Sequence, residues 1–583
     1  MKSAIHERLL RHTNHLRKEL SQFTTETIVG MVCNEFFEVF NTPGWNTDLV
    51  SPLRQLFFLL SLMLTTPEPK DGKEFGREEF DSAIVSLNRI FNAYAEMYWP
   101  TESEISTLPK EWRGQRLVAM GAFLHYFNTH IGASPAQIKS LIGRYHVPFD
   151  EHLRNKLGIS ATKILQITEE IHKHLQGKMD ELIASSVAAR AEHRRLVEEG
   201  ENRDWTNEEF LKQARQSQEA IATTARLHMA LSNFMKVDFS QLSSDIDTSE
   251  VEAYKILFLS KRDVGTKFTY LTETIPGLLS PLFELPDGLA MVPAGNALYS
   301  AAFEKGELTL QVDQKFLDRR GFLFEGEVSE IFTKMFPESA RFIRNVYETP
   351  YRQQEHDLII LCNNHIFVVE CKAGGLREPF RDPEKAFIRI RDDFKAQTGI
   401  QHAYDQANRI ANHLKIAPTM DLFDGDGEHV VTLKRDQTVH CICVTREDYG
   451  HLAVNLSLLL EKDGKADYPW CIEALDLRLI SEAWEHLGLG DEEFIEYLDG
   501  RQKLQGRLIT NEELEIAGLF LKHQTFIPMI ESEYRFLIPD FSYSDIFDRI
   551  TMARDRGEEI DNTKIDMNFV EIAPRVARVS PKK

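Results

Sequence analysis

Two apolar, β-branched runs stand on either side of a pair of asparagines. Leu358-Ile359-Ile360-Leu361-Cys362 leads into Asn363-Asn364, and Ile366-Phe367-Val368-Val369 follows after His365. Asn tolerates positive φ, so the dipeptide predicts a two-residue turn and the flanking runs predict a β-hairpin. Closing the hairpin there sets Cys362 opposite His365, Leu361 opposite Ile366, Ile359 opposite Val368 and Asp357 opposite Glu370. Side chains alternate across a strand. One face therefore carries Leu361, Ile366, Ile359 and Val368, then the acids Asp357 and Glu370, then Glu355 and Lys372.

Helical spacing frames this hairpin. Upstream, Phe324, Val328, Ile331, Phe332 and Met335 form one stripe. Downstream, Ile400, Ala403, Ala407, Ile410, Ala411 and Leu414 form another. With strands over Phe342–Tyr347 and Val439–Val444, the order from Gly321 reads helix, three strands, helix, strand. Residues 1–240 read as helix after helix. Ser160 to Met235 is nearly free of Pro and predicts a long helical arm, broken at Glu199-Gly200-Glu201-Asn202 and restarted by the capping-box spacing of Thr206-Asn207-Glu208-Glu209. Residues 250–316 predict a small α+β lead-in, with strands over Tyr254–Leu259 and Leu308–Val312. From 453 to 583 the pattern is mainly helical again, through Ala474–Leu487, Asp491–Leu498 and Glu512–Leu521.

Composition narrows the function classes. At 583 residues the chain has room for about three or four domains. A net charge of −22 argues against a constitutive, non-specific nucleic-acid binder coated in basic surface. The six cysteines (Cys33, Cys362, Cys371, Cys441, Cys443 and Cys471) contain no CxxC, which argues against zinc and against a disulfide framework. The most apolar helix, Leu53 to Leu64, carries Arg54 and Gln55 and is too short to cross a bilayer. The first residues lack the apolar stretch of a secretory signal, so a cytoplasmic setting without membrane contact is expected.

The hairpin carries the chemistry. Like charges directly opposite one another are destabilising unless a cation lies between them. Two acids at the end of an apolar row, with a lysine one step on, resemble a divalent-metal site. An Asp before a hydrophobic strand, then Glu370-Cys371-Lys372 on the next, is similar to the signature of the PD-(D/E)xK nuclease superfamily, in its restriction-endonuclease-like branch with Mrr-type and NERD-type domains. His356 stands where the motif's name has Pro. Phe324-Glu325-Gly326-Glu327-Val328 resembles the family's first-helix pattern, and Tyr404-Asp405-Gln406-Ala407 resembles the Gln-Ala of its later helix. The likeness spans residues 317–450, about a quarter of the chain.

The resemblance implies a multidomain α+β protein with a central αβββαβ core between helical regions. It implies a Mg²⁺- or Mn²⁺-dependent nuclease that hydrolyses phosphodiester bonds, DNA in preference to RNA. Its metal would be held by Asp357, Glu370, the main-chain carbonyl of Cys371 and, as an extra acid, Glu325. Lys372 would orient the attacking water or offset developing charge, and Gln406 would hold a water, a phosphate or the lysine. Helix geometry places Gln406 nearer its buried stripe than Gln401, while Glu330 points to solvent. Arg377, Arg381, Lys385, Arg389, Arg391 and Lys395 form a basic strip that suits phosphate contacts or a salt-bridged surface helix. A catalytically silent, nuclease-fold binding or regulatory protein is the rival reading, favoured by the acidic balance and opposed by the complete acid-and-lysine set. Large helical extensions on a nuclease core suit prokaryotic defence or DNA repair. The N-terminal helices, which hold no catalytic constellation, are expected to gate or target the enzyme through self-association or a protein partner. His172-Lys173-His174 puts its imidazoles on different helix faces, and Asp424-Gly425-Asp426-Gly427-Glu428 lacks the later acid of a calcium loop and reads as a polar turn. GxxxxGK[ST], HExxH and GxSxG are absent.

Overall fold

The computed structural model describes residues 2–41, 48–98, 105, 111–128, 134–185, 195–196, 199, 203, 212–213, 235–242, 246–374, 383–464, 466–510, 512–533 and 536–558. They form two compact units, one of residues 1–97 with 127–313 and the other of 98–126 with 314–583. The first unit is built from helices including Lys2–Leu20, Thr25–Asn41, Pro52–Leu64, Arg77–Met97 and Ala161–Ser185, beside a small four-stranded sheet. Pro52–Leu64 is buried on every side, which accounts for its mostly apolar sequence in a globular setting. No helix among the described residues is long and apolar enough to cross a membrane. The break and capping box of the expected helical arm lie outside the described residues, apart from Glu199.

The second unit holds the predicted hairpin. Its elements are α1 (Gln314–Phe332), β1 (Arg341–Tyr347), β2 (Glu355–Cys362), β3 (His365–Lys372), α2 (Pro383–Lys395), α3 (Ile400–Ile416), β4 (Thr419–Phe423), β5 (His429–Lys434), β6 (Thr438–Thr445) and β7 (Trp470–Glu473). Helices α4 (Ala474–Leu487), α5 (Asp491–Lys503), α6 (Glu513–His523) and α7 (Asp545–Arg556) follow. The seven strands form one mixed sheet in the order β7-β6-β3-β2-β1-β4-β5. β3 pairs antiparallel with β2 and parallel with β6, so it lies inside the sheet and its apolar run is covered on both faces. The β2–β3 turn is Asn363-Asn364 as the pattern predicts, with Asn363 at φ +50°.

Two cores sandwich the sheet. Phe324, Val328, Ile331 and Phe332 of α1, with residues of α4 to α7, pack on the face formed by Leu358, Ile360, Phe367 and Val369. Ala407, Ile410 and Leu414 of α3, with Met420, Leu422, Val431 and Leu433, pack on Ile359, Ile366 and Val368. Both helical stripes of the sequence pattern are thus the buried faces, although Ala411 stays partly exposed.

The structure corrects several expectations. Tyr254–Phe258 and Leu308–Leu310 are the ends of helices Thr248–Phe258 and Asn296–Leu310, not strands. Short apolar runs do not separate a strand from a helix end, and here the flanking residues extend the helical period. The order through the core is α1-β1-β2-β3-α2-α3-β4-β5-β6: the helix expected for the basic strip is α2, and a hairpin comes between α3 and the last predicted strand. The polar turn Asp424–Glu428 is the tip of that hairpin, with Gly427 at φ +83°.

The C-terminal helices are locked to the sheet by a buried carboxylate. Glu513 accepts from Trp470 Nε1 at 2.8 Å, Tyr497 Oη at 2.5 Å and Arg501 Nε and Nη2 at 2.8 and 3.0 Å. Removing one member of a buried ion pair leaves the other charge uncompensated. Glu513→Ala is expected to destabilise this unit by about 3–5 kcal/mol, seen as a lowered midpoint in denaturant unfolding. A loss under about 1 kcal/mol would place the pair among ordinary surface bridges.

Candidate active site

β2 and β3 pair from Cys362 with His365 to Leu358 with Val369, and the pairing ends one residue short of Asp357 and Glu370. The strand neighbours are held differently. Asp357 is half-buried and its Oδ2 accepts the Cys371 amide at 2.7 Å. Glu370 is fully buried: its Oε1 lies 2.7 Å from His356 Nδ1, and its Oε2 is buried with no hydrogen-bond partner among the described residues. Lys372 Nζ donates to Gln406 Oε1 at 2.5 Å, so α3 reaches across to the end of β3. Glu355 takes no part in a pair with Lys372; its carboxylate accepts from Tyr347 Oη at 3.1 Å.

Glu325 approaches from α1. Its Oε2 accepts from Asn345 Nδ2 at 3.3 Å. Asn345 sits between the Arg344–Leu358 and Val346–His356 strand pairs, opposite Asp357, with φ at +52°. That left-handed backbone is uncommon for a non-Gly residue and disfavoured within a strand. Glu327, two residues on, is buried against Arg478 of α4 and serves packing, while Glu330 is exposed.

Burial raises the proton affinity of all three acids, and the Asp357 charge adds to it at both glutamates. Burial, followed by the nearby Asp357 charge, pushes Glu325 up to about 7. Burial likewise pushes Glu370 up to about 7, against the pull of its His356 hydrogen bond. Asp357 is raised by burial and held back by Lys372 and the Cys371 amide. Carboxyl groups crowded and dehydrated in this way cluster at functional sites.

Behind Glu370 runs a set of partners that the sequence pattern did not single out. His356 is fully buried, with Nε2 3.1 Å from Glu348 Oε1. Glu348 accepts from Arg409 Nε at 2.6 Å, and Arg409 Nη2 donates to the Glu355 carbonyl at 3.1 Å. Burial pulls the His356 imidazole down, but its bonds to Glu348 and Glu370 outweigh this and hold it above its ordinary range. Only the placement of Arg409 on α3 was legible, since His402, Gln406, Arg409 and His413 recur at helical spacing beside its apolar stripe. Arg320 Nη2 also grips the Ala373 carbonyl at 2.9 Å, fixing the chain as it leaves β3.

Gln401 proves the more buried of the two glutamines; its amide bonds both the carbonyl and the amide of Glu461 at 2.8 Å, which makes it a loop anchor. Tyr404 is buried, and its hydroxyl has no partner among the described residues. Of the basic strip, Arg377 and Arg381 lie outside the described residues, while Arg391 pairs with Asp392 and Lys395 with Glu461. Half of the described strip is therefore salt-bridged surface. Among the described residues no three His, Cys, Asp or Glu side chains converge closely enough to hold a metal by themselves.

Comparison with known families reaches the same part of the chain. Residues 320–444 match the NERD family model, described as a nuclease-related domain. The match covers the segment that holds Asp357 and Glu370-Cys371-Lys372, and it is consistent with their resemblance to the PD-(D/E)xK superfamily. No curated protein and no solved structure matches the chain.

The raised proton affinity of Glu370 has a measurable consequence. Its carboxyl titrates at about 7 in the fold, against roughly 4.3 in an unfolded chain. The stability it contributes is fully present below the unfolded value and is lost as pH rises through the folded one. Glu370→Gln keeps an acceptor for His356 and removes that loss. In chelator, the variant is expected to be more stable than wild type at pH 8 by on the order of 1–3 kcal/mol, with the two converging toward pH 5 in thermal unfolding. A variant that is less stable at pH 8 and closer to wild type at pH 5 would reverse the sign and refute the account.

Proposed function

We propose that the nuclease-related domain hydrolyses phosphodiester bonds of nucleic acid with a divalent cation, and that DNA is preferred over RNA. The observation that carries the reading is the crowding of Asp357, Glu370 and Glu325 beside Lys372, with one oxygen of Glu370 buried and unpartnered. An isolated buried carboxylate oxygen is costly. A hard cation is its natural complement, and the donor set here is all oxygen. Mg²⁺ keeps several waters and binds through one or two carboxylates, so it needs no closed cage of protein ligands. Asp357 and Glu370 would hold Mg²⁺ or Mn²⁺, assisted by Glu325 and the main-chain carbonyl of Cys371. Once bound, such an ion polarises the scissile phosphate and lowers the pKa of a water.

The remaining roles belong to the protein. Lys372, tethered by Gln406, presents a fixed positive charge beside the acids, suited to orienting the attacking water or to countering charge on the phosphate. Asp357 is aimed by the Cys371 amide, which ties the acid of β2 to the strand carrying Glu370 and Lys372. With a net charge of −22 the chain cannot rely on bulk attraction to its substrate, so we assign recruitment to a partner or to self-association through the N-terminal helical region. A setting in prokaryotic defence or DNA repair suits this organisation.

A second reading has its own support. His356 occupies Glu370 Oε1, and an acid committed to a histidine fits a domain that keeps the nuclease fold to bind nucleic acid without turnover. Cleavage decides between them. Purified full-length protein is expected to cut DNA with Mg²⁺ or Mn²⁺ and to stop in EDTA. Asp357→Ala, Glu370→Ala and Lys372→Ala are each expected to lower the rate by ~10²–10⁴-fold. Metal-independent cleavage, or equal rates in all three variants, would refute the proposed site; nucleic-acid binding without cleavage would favour the second reading.

A further inference from the structure

We infer that His356 is a positioning residue for metal capture, held by Glu348 and Arg409 and acting through Glu370. The inference rests on the metal-dependent reading above and names the device that prepares its buried ligand. Glu370 lies at the end of an apolar row where its carboxylate has few polar neighbours to fix it. His356 supplies one bond, at 2.7 Å to Oε1, and that bond leaves Oε2 as the oxygen without a partner. The imidazole is itself pinned, since its other nitrogen lies 3.1 Å from Glu348. Glu348 in turn is gripped by Arg409 at 2.6 Å. The chain Arg409–Glu348–His356–Glu370 therefore runs from a half-buried cation on α3 to the buried acid, and each link constrains the rotamer of the next.

A packing role alone does not require this arrangement. A fully buried histidine with a carboxylate at each nitrogen is an expensive way to fill space, because every polar atom must be matched. The alternation of β2 turns the main side-chain direction of His356 away from that of Asp357. The residue therefore steadies the glutamate from the side while Asp357 remains in place beside it. Histidine and carboxylate partners behind metal ligands commonly change affinity by about 10–100-fold when removed.

The test measures Mn²⁺ binding by calorimetry on the full chain, without substrate, alongside thermal unfolding in chelator. His356→Leu is expected to weaken Mn²⁺ binding about 10–100-fold. His356→Asn, whose amide nitrogen can replace the Nδ1 bond to Glu370, is expected to recover to within about threefold of wild type. Glu348→Gln, at the less buried end, is expected to weaken binding several-fold with little change in unfolding midpoint, which keeps the test valid if His356→Leu fails to fold. Wild-type affinity in Glu348→Gln and His356→Asn together with wild-type affinity in His356→Leu would show that the histidine only packs. Tighter binding in His356→Leu would show that it competes with the metal, and either result overturns the inference alone. Absence of Mn²⁺ binding by wild type would instead overturn the metal-dependent reading, and this inference with it.

Discussion

A carboxylate removed from water must find a partner, and the architecture of this domain follows from one that has found only half of its partners. Glu370 lies near the end of an internal strand, paired to β6 on one side and one residue past the last β2 pair on the other, and it is fully buried. One oxygen meets His356 and the other meets nothing among the described residues. Everything nearby answers to that condition: a second acid is tied to the adjacent amide, a lysine is tethered from a helix, and a third acid reaches in from α1. The apolar rows of β2 and β3 supply the burial that makes the condition severe.

The same domain shows the contrasting case of a buried acid with all its needs met. Glu513 takes four hydrogen bonds from Trp470, Tyr497 and Arg501. It sits among aromatic rings that join α5 and α6 to β7, with Trp484 and Phe520 stacked at 6.0 Å nearby. A saturated acid fixes tertiary structure, whereas an undersaturated one retains binding capacity. One carboxylate opens helix α6 against the sheet and the other lies within a strand of it, and they differ in how many hydrogen bonds they receive.

Much of this was legible before any coordinates. Alternation and the Asn-Asn turn are local properties, so they locate β2, β3 and the turn between them. The stripes of α1 and α3 are legible for the same reason, since a helix that buries one face repeats that face along the chain. The His356–Glu348–Arg409 connections were not legible, because they join residues 8 and 61 positions apart whose meeting depends on how α3 crosses the sheet. Gln401 and Gln406 illustrate the limit within a single helix. Periodicity ranks them by distance from the apolar stripe, but the loop at Glu461 covers Gln401 and reverses the order. The strand-like runs at Tyr254 and Leu308 fail for another reason: a few apolar residues at a helix end have no period of their own.

Helix α3 carries Gln406 and Arg409 three residues apart, and through them it touches both Lys372 and the support of Glu370. One residue added or deleted between Gln406 and Arg409 would turn everything beyond it by about 100° and move one mount off the sheet while the other stayed. The partly exposed tip of the β4–β5 hairpin, only a few residues further along, imposes no such helical phase, and loop tips absorb changes of length readily. Across descendants of this sequence, length should therefore drift at Asp424–Glu428 and hold still between Ile400 and Ile416, a contrast set by helical geometry and independent of any constraint on residue identity.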